Sequence, residues 1–327
     1  MKIGILGTGT WAMGLASILL DNQKSVIMWG RSKEQVESLQ KTGKNFKYSL
    51  PRSLEGDITF TTELKDLIAV DYLVNAIPTQ KIREVFQQLK GLSKDTVIVN
   101  ASKGIEVDTL AFVSRIIADF YPDNKYVVLS GPSHAEEVSK KIPTTLVASS
   151  EDRDRAVAVR DLFFTNYCRV YTNDDLIGAE LAGALKNIIA LAAGISDGLG
   201  FGDNTKAALM TRGMAEIKRL GLKMGAQAET FDGLTGIGDL IVTCTSRHSR
   251  NRRCGILIGE GLSLEEASKR IGMAVEGAST AKAAYELAKQ LDCEMPIAES
   301  LYRVLYENHD PVEAVQALMV RERKAEN

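Results

Sequence analysis

The sequence predicts an α/β amino-terminal domain built on a mainly parallel sheet with helices on both faces, followed by an all-α carboxyl-terminal domain. Three observations carry this expectation. The first 150 residues alternate short apolar runs with amphipathic stretches, the pattern of βαβ units. A glycine-rich turn directly follows the first apolar run. After about residue 175 the β-branched runs give way to Ala, Leu and Glu at helical spacing.

Lys2–Leu6 reads as a strand, Trp11–Asp21 as a helix and Ser25–Trp29 as a second strand. Glu34–Lys41 has helical periodicity, and Ile58–Thr61, Tyr72–Ala76, Thr96–Asn100, Tyr126–Ser130 and Thr145–Ala148 are apolar runs of strand length. The polar cluster Thr172, Asn173, Asp174 and Asp175 offers capping side chains for the helix that follows. The expected division is therefore residues 1–175, a dinucleotide-binding type of sheet domain, and 176–327, a helical substrate and catalytic domain. In the second part Ile177–Gly194, Thr205–Leu220, Ser263–Ile271, Thr280–Leu291 and Ile297–Tyr306 read as helices, with no further strand.

Composition narrows the function classes. Lys and Arg number 40 against 42 Asp and Glu, so no global field draws the 327-residue chain to nucleic acid or to an anionic membrane. The 27 glycines against 7 prolines point to tight turns and close backbone approaches rather than disorder. Cys168, Cys244, Cys254 and Cys293 form no CxxC pair, which indicates neither a zinc ribbon nor a disulfide framework and fits a reducing cytoplasm. Apolar stretches such as Asn187–Ile195 stop short of the ~20 residues that span a bilayer, so no stable membrane insertion is expected. The opening MKIGILGTG lacks the apolar core of a signal peptide.

The turn Gly7-Thr8-Gly9-Thr10-Trp11-Ala12 lies between a strand and a helix. There Gly7 can make the turn, Gly9 can admit a pyrophosphate and the small Ala12 can let helix and strand pack, with free helix N–H groups facing the phosphates. This is a dinucleotide fingerprint of the Rossmann type. The second strand ends Trp29-Gly30-Arg31-Ser32 without the carboxylate of a strict NAD site. A guanidinium and a hydroxyl suit a 2′-phosphate, so the site is expected to accept NADP or NAD.

Three further segments carry chemistry. Around Lys186, the residues Ala179, Gly183, Ala190 and Ala193 form a stripe of small side chains expected to leave room for a ligand beside the ammonium. Lys103 follows an apolar strand at the carboxyl edge of the expected sheet. Asp239 stands among Gly233, Gly236 and Gly238, where it either caps a helix or faces something the backbone must approach. The run Ser246–Arg253 concentrates four arginines with His248, two serines and Asn251. With no basic excess around it, that run reads as a clamp for one or two small phosphates rather than a nucleic-acid arm. His134 and His248 have no evident partner and are read as bystanders.

GTGTWA, NASKG, SGPSHAEEV, ELAGALKNIIALAAGISDGLGFGDNTKAAL, LTGIGDLIVTC, SRNRRCG and VEG together resemble the bacterial-type NAD(P)-dependent glycerol-3-phosphate dehydrogenases, from residue 1 to about residue 320. The long central block is the specific part. The resemblance implies reversible hydride transfer between sn-glycerol 3-phosphate and dihydroxyacetone phosphate, supplying glycerophospholipid synthesis. Motif by motif it implies Lys186 as the acid/base, with Lys103 and Asp239 beside it and both also near substrate. It further implies Gly131, Ser133, Ser249, Arg250 and Asn251 as substrate contacts, and Thr10, Trp11, Arg31, Lys103, Ala135, Arg250 and Glu276 as cofactor contacts. The chemistry requires no metal, and helical carboxyl-terminal domains of the superfamily often dimerise, so a homodimer is implied by analogy. The chain departs from the family at Ala12, usually Gly, and Ala274, usually Val, which bears on cofactor fit. The competing expectations are another β-hydroxyacid-type dehydrogenase, binding carboxylate at the arginines, and a non-catalytic NADPH-sensing module.

Overall fold

The computed structural model describes residues 1–45, 54–322 and 325. Eight strands form one sheet: β1 (Lys2–Leu6), β2 (Ser25–Trp29), β3 (Ile58–Thr61), β4 (Tyr72–Asn75), β5 (Val97–Asn100), β6 (Tyr126–Ser130), β7 (Thr144–Ser149) and β8 (Cys168–Asn173). Their spatial order is β3-β2-β1-β4-β5-β6-β7-β8. The order reverses between β1 and β4, the place where doubly wound sheets open a ligand crevice at the strands' carboxyl ends. Successive side chains serve opposite faces: Val74 and Val99 join the core under one set of helices, while Leu73 and Ile98 join the other. Both faces are therefore covered, by α1 (Thr10–Asp21), α2 (Lys33–Thr42), α3 (Ile82–Gln88), α4 (Val113–Ala118), α5 (Ala135–Val138) and α6 (Arg153–Phe163).

Two features depart from the sequence expectation. β7 runs antiparallel to β6, pairing Leu129 with Ala148, while every other neighbour is parallel. A short apolar run carries no sign of its direction. β8 was not anticipated, because on this edge strand only Cys168 and Val170 turn inward while Arg169 and Tyr171 face out. Such an alternating, polar strand merges in sequence with the capping cluster behind it.

Beyond the sheet the described residues are helical: α7 (Leu176–Gly198), α8 (Asp203–Lys223), α9 (Ala228–Asp232), α10 (Asp239–Thr245), α11 (Arg250–Gly259), α12 (Leu264–Ile271), α13 (Glu276–Gln290), α14 (Pro296–Tyr306) and α15 (Pro311–Met319). Asp175 caps α7 by accepting from Gly178 N at 2.8 Å. The 23-residue α7 is long and apolar enough to cross a membrane, contrary to the reading of its shorter apolar run, yet 83% of its most apolar window is buried inside the protein. It is the axle of the helical core.

α7 and α11 cross backbone to backbone. A Cβ on Gly194 would stand 2.1 Å from Arg252 O, and one on Gly255 would stand 2.1 Å from Leu191 O. Part of the glycine excess is thus spent on this crossing. Gly255→Val should destabilise the fold by at least about 3 kcal/mol, whereas Gly202→Ala, with open space around its Cβ, should stay within about 0.5 kcal/mol. Urea unfolding midpoints compare the two.

Candidate active site

The switch point of the sheet opens into a cleft of about 700 Å³ whose opposite wall is made by α7, α10, α11 and α13. Gly7, at φ +118°, turns the chain out of β1, and a Cβ there would press to 2.9 Å against Ala76 O. Gly9 is the N-cap of α1 and offers no side chain to the helix, so the first N–H groups remain free. A Cβ on Gly9 would meet nothing within 4 Å. An uncapped helix start facing open space fits a pyrophosphate. Thr10, Trp11, Arg31 and Ala135 line the same end, and Ala12 is buried behind the turn.

The other end is built around one carboxylate. Asp239 is 1% exposed at the start of α10. Its Oδ1 accepts from Lys186 Nζ at 2.6 Å and its Oδ2 from Lys103 Nζ at 2.6 Å. Lys186 also donates to Thr243 Oγ1 at 2.7 Å, and Thr243 in turn donates to Asp239 O at 2.6 Å. Lys103 donates a second bond to Gly131 O at 3.2 Å. Each ammonium has three N–H donors, so each keeps one. Both lysines line the cleft, and the remaining donors are available there.

The charges are tuned by this burial. Removal from water works against ionisation of Asp239, but the two ammoniums outweigh it and hold the carboxyl below its ordinary range. Lys186 is only 6% exposed. Burial lowers its pKa to about 8, with Lys103 adding to the fall and Asp239 opposing it. A lysine poised near neutral pH is suited to giving up and regaining a proton.

Several expectations are refined here. The small-residue stripe on α7 does not make room for a ligand: Ala179, Ala190 and Ala193 are packed in the core, and a Cβ on Gly183 would stand 3.3 Å from Ser130 Oγ and 3.5 Å from the Lys103 stem. Of the four clustered arginines only Arg250 lines the cleft. Arg252 instead pairs with Asp197 on α7 at 2.7 Å. Ser249 caps α11, accepting from Arg252 N at 3.2 Å, and so places Arg250 and Asn251 at that helix's start. Asn251 Nδ2 donates to Asn187 Oδ1 at 2.9 Å, while its Oδ1 accepts from Gly277 N at 2.9 Å. Ser133 and Glu276 also line the cleft, while Gly131 and Asp239 lie just behind it. Glu276 Oε1 accepts from Thr79 N at 3.1 Å, Oε2 has no partner among the described residues, and burial raises the carboxyl to about 7. Sequence reasoning missed Asn187 and Thr243, and it left His134 and His248 idle although all four line the cleft.

Residues 2–156 match the family model described as NAD-dependent glycerol-3-phosphate dehydrogenase N-terminus, and residues 175–316 match its C-terminus counterpart. The chain belongs to the NAD-dependent glycerol-3-phosphate dehydrogenase family. It is 51% identical over 327 residues to a glycerol-3-phosphate dehydrogenase (NAD(P)+) of Clostridium perfringens, covering 99% of each chain. It is 52% identical over 325 residues to one of Bacillus pumilus, covering 98% of this chain and 94% of that one. The crystal structure of glycerol-3-phosphate dehydrogenase from Coxiella burnetii superposes with a TM-score of 0.94 at 37% identity, over 98% of this chain and 99% of that chain. Family membership sets aside the other β-hydroxyacid-type dehydrogenases and the sensing module.

Proposed function

We propose that this protein interconverts dihydroxyacetone phosphate and sn-glycerol 3-phosphate with NADPH or NADH, supplying glycerophosphate for lipid synthesis. The observation that carries the reading is the Lys103–Asp239–Lys186 bridge in a cleft that also holds the Gly7–Gly9 turn. The nicotinamide cofactor supplies or takes up the hydride when bound. The protein's residues do the rest. Residues 1–175 hold the dinucleotide on the α1 start, with Gly9, Thr10, Trp11, Arg31 and Ala135 along it, and Glu276 reaches it from the helical half. Residues 176–327 hold the substrate. The α11 start, with Ser249, Arg250 and Asn251, binds its phosphate, and Ser133 closes that side. In the reducing direction Lys186 donates its proton to the oxygen that becomes the C2 hydroxyl, and Lys103 stabilises negative charge on the same oxygen. Asp239, bonded to both ammoniums, keeps them aimed. Anchoring the phosphate away from the reacting carbon fixes the geometry of attack. The four cysteines are free and buried, which supports the cytoplasm as the working compartment.

The protonation requirement sets the pH dependence. Reduction needs Lys186 as ammonium, so turnover should be level below about pH 8 and fall as pH rises through it. Oxidation needs the free amine and should rise across the same range. Initial-rate pH profiles in both directions, at saturating substrates, measure these limbs.

Arg31 has no ion-pair partner among the described residues and lines the cleft beside the α2 start. Arg31→Gln should therefore cut kcat/KM for NADPH about tenfold or more, the worth of a charge-assisted bond, with NADH changed by less than about threefold. Steady-state kinetics with each cofactor give both numbers.

A further inference from the structure

His134 and His248 face each other across the cleft, with ring centroids 5.9 Å apart and planes inclined at 55°. His134 follows Ser133 directly and is the N-cap residue of α5. His248 precedes Ser249, the cap of α11. The first imidazole feels the charge of Lys186, and the second stands beside the start of α11, where the phosphate is read to sit. Their hydrogen bonds differ. His134 Nε2 lies 3.4 Å from Val242 O, a carbonyl that can only accept. That contact puts the ring proton on Nε2 and leaves Nδ1 as a lone pair. Burial and the nearby Lys186 ammonium both hold His134 below its ordinary pKa, in keeping with a neutral ring. The His248 ring makes no hydrogen bond among the described residues; only its backbone N–H is engaged, with Ser246 Oγ at 3.0 Å.

We propose that the two imidazoles gauge the two ends of a phosphorylated triose, His134 Nδ1 accepting from the free hydroxyl and a His248 ring N–H donating to the phosphate. They are positioning residues, selecting substrate while Lys186 moves the proton. The inference rests on the substrate reading above and explains why two histidines face a cleft whose acid/base work is already assigned. A gauge of this kind disfavours a ligand lacking either end by leaving a half-buried ring nitrogen unpaired.

The test uses the full-length protein loaded with NADP+, which has no hydride to transfer and so allows binding without turnover, and two single variants, His134→Phe and His248→Gln. Calorimetry measures the binding of inorganic phosphate, dihydroxyacetone phosphate and hydroxyacetone phosphate, the analogue without the free hydroxyl. For His248→Gln, weakening of inorganic phosphate by about fivefold is expected, on the scale of one lost hydrogen bond. For His134→Phe, unchanged phosphate affinity is expected, together with about a fivefold loss of the preference for dihydroxyacetone phosphate over the analogue. In both, KM for dihydroxyacetone phosphate should rise while kcat stays within about twofold, and NADPH affinity, which reports folding, should not move. Wild-type phosphate affinity in His248→Gln, or wild-type discrimination in His134→Phe, overturns the proposal. If the wild type turns over no triose phosphate, the functional reading fails, yet the three binding titrations still decide the gauge.

Discussion

Lys186→Ala should lower turnover of dihydroxyacetone phosphate by about 10²–10⁴, the usual worth of a positioned general acid, while NADPH still binds. The expectation follows from geometry. Two of the three Lys186 N–H groups are held, by Asp239 at 2.6 Å and Thr243 at 2.7 Å, and a buried lysine with a pKa near 8 keeps a labile proton at neutral pH. Alanine leaves the Asp239–Lys103 pair intact, so the buried carboxylate still has one cation and the fold should survive. Activity surviving within about tenfold of wild type would remove Lys186 from its role. Single-turnover NADPH oxidation, read by the loss of nicotinamide absorbance, separates the chemical step from binding.

Asp239→Asn should be the most damaging isosteric change in the cleft. It removes the single negative charge between two ammoniums that each lie 2.6 Å from it. Breaking a buried pair costs about 3–5 kcal/mol when the remaining charge cannot be relieved. Lys186 can relieve part of it, because burial and Lys103 already depress its pKa and the opposing pull of Asp239 is lost. The ammonium then gives up its proton at lower pH. Two consequences follow. Reduction at neutral pH should fall by about a hundredfold or more, as the acid is both misplaced and partly discharged. The loss of stability should shrink as pH rises from 7 to 9, since the unpaired Lys186 becomes neutral. Urea unfolding at both pH values checks the second; a penalty that grows with pH would contradict the account of the bridge.

The strands β1 to β7 are legible in the sequence because buried parallel strands are near-continuous apolar runs. The direction of β7 is not, since it depends on how far the chain travels before it pairs. β8 is hidden because only alternate side chains are buried. At the site, Gly7, Gly9, Lys103, Lys186 and Asp239 are readable as residue types next to turns, but their convergence is a property of the fold. Thr243 carried a signal that went unused, standing one helical turn after Asp239 on the same face of α10. Which arginine of the run reaches the cleft is hidden for a related reason. Once Ser249 caps α11, helical geometry gives each arginine a different direction, and composition alone cannot tell the one at the cleft from the others.

Steady-state oxidation of NADPH by the purified protein, with dihydroxyacetone phosphate set beside a panel of 2-keto acids, tests the central claim most directly. The account predicts saturable oxidation with dihydroxyacetone phosphate and none with the carboxylates. Oxidation driven by a keto acid, with dihydroxyacetone phosphate inert, would contradict it.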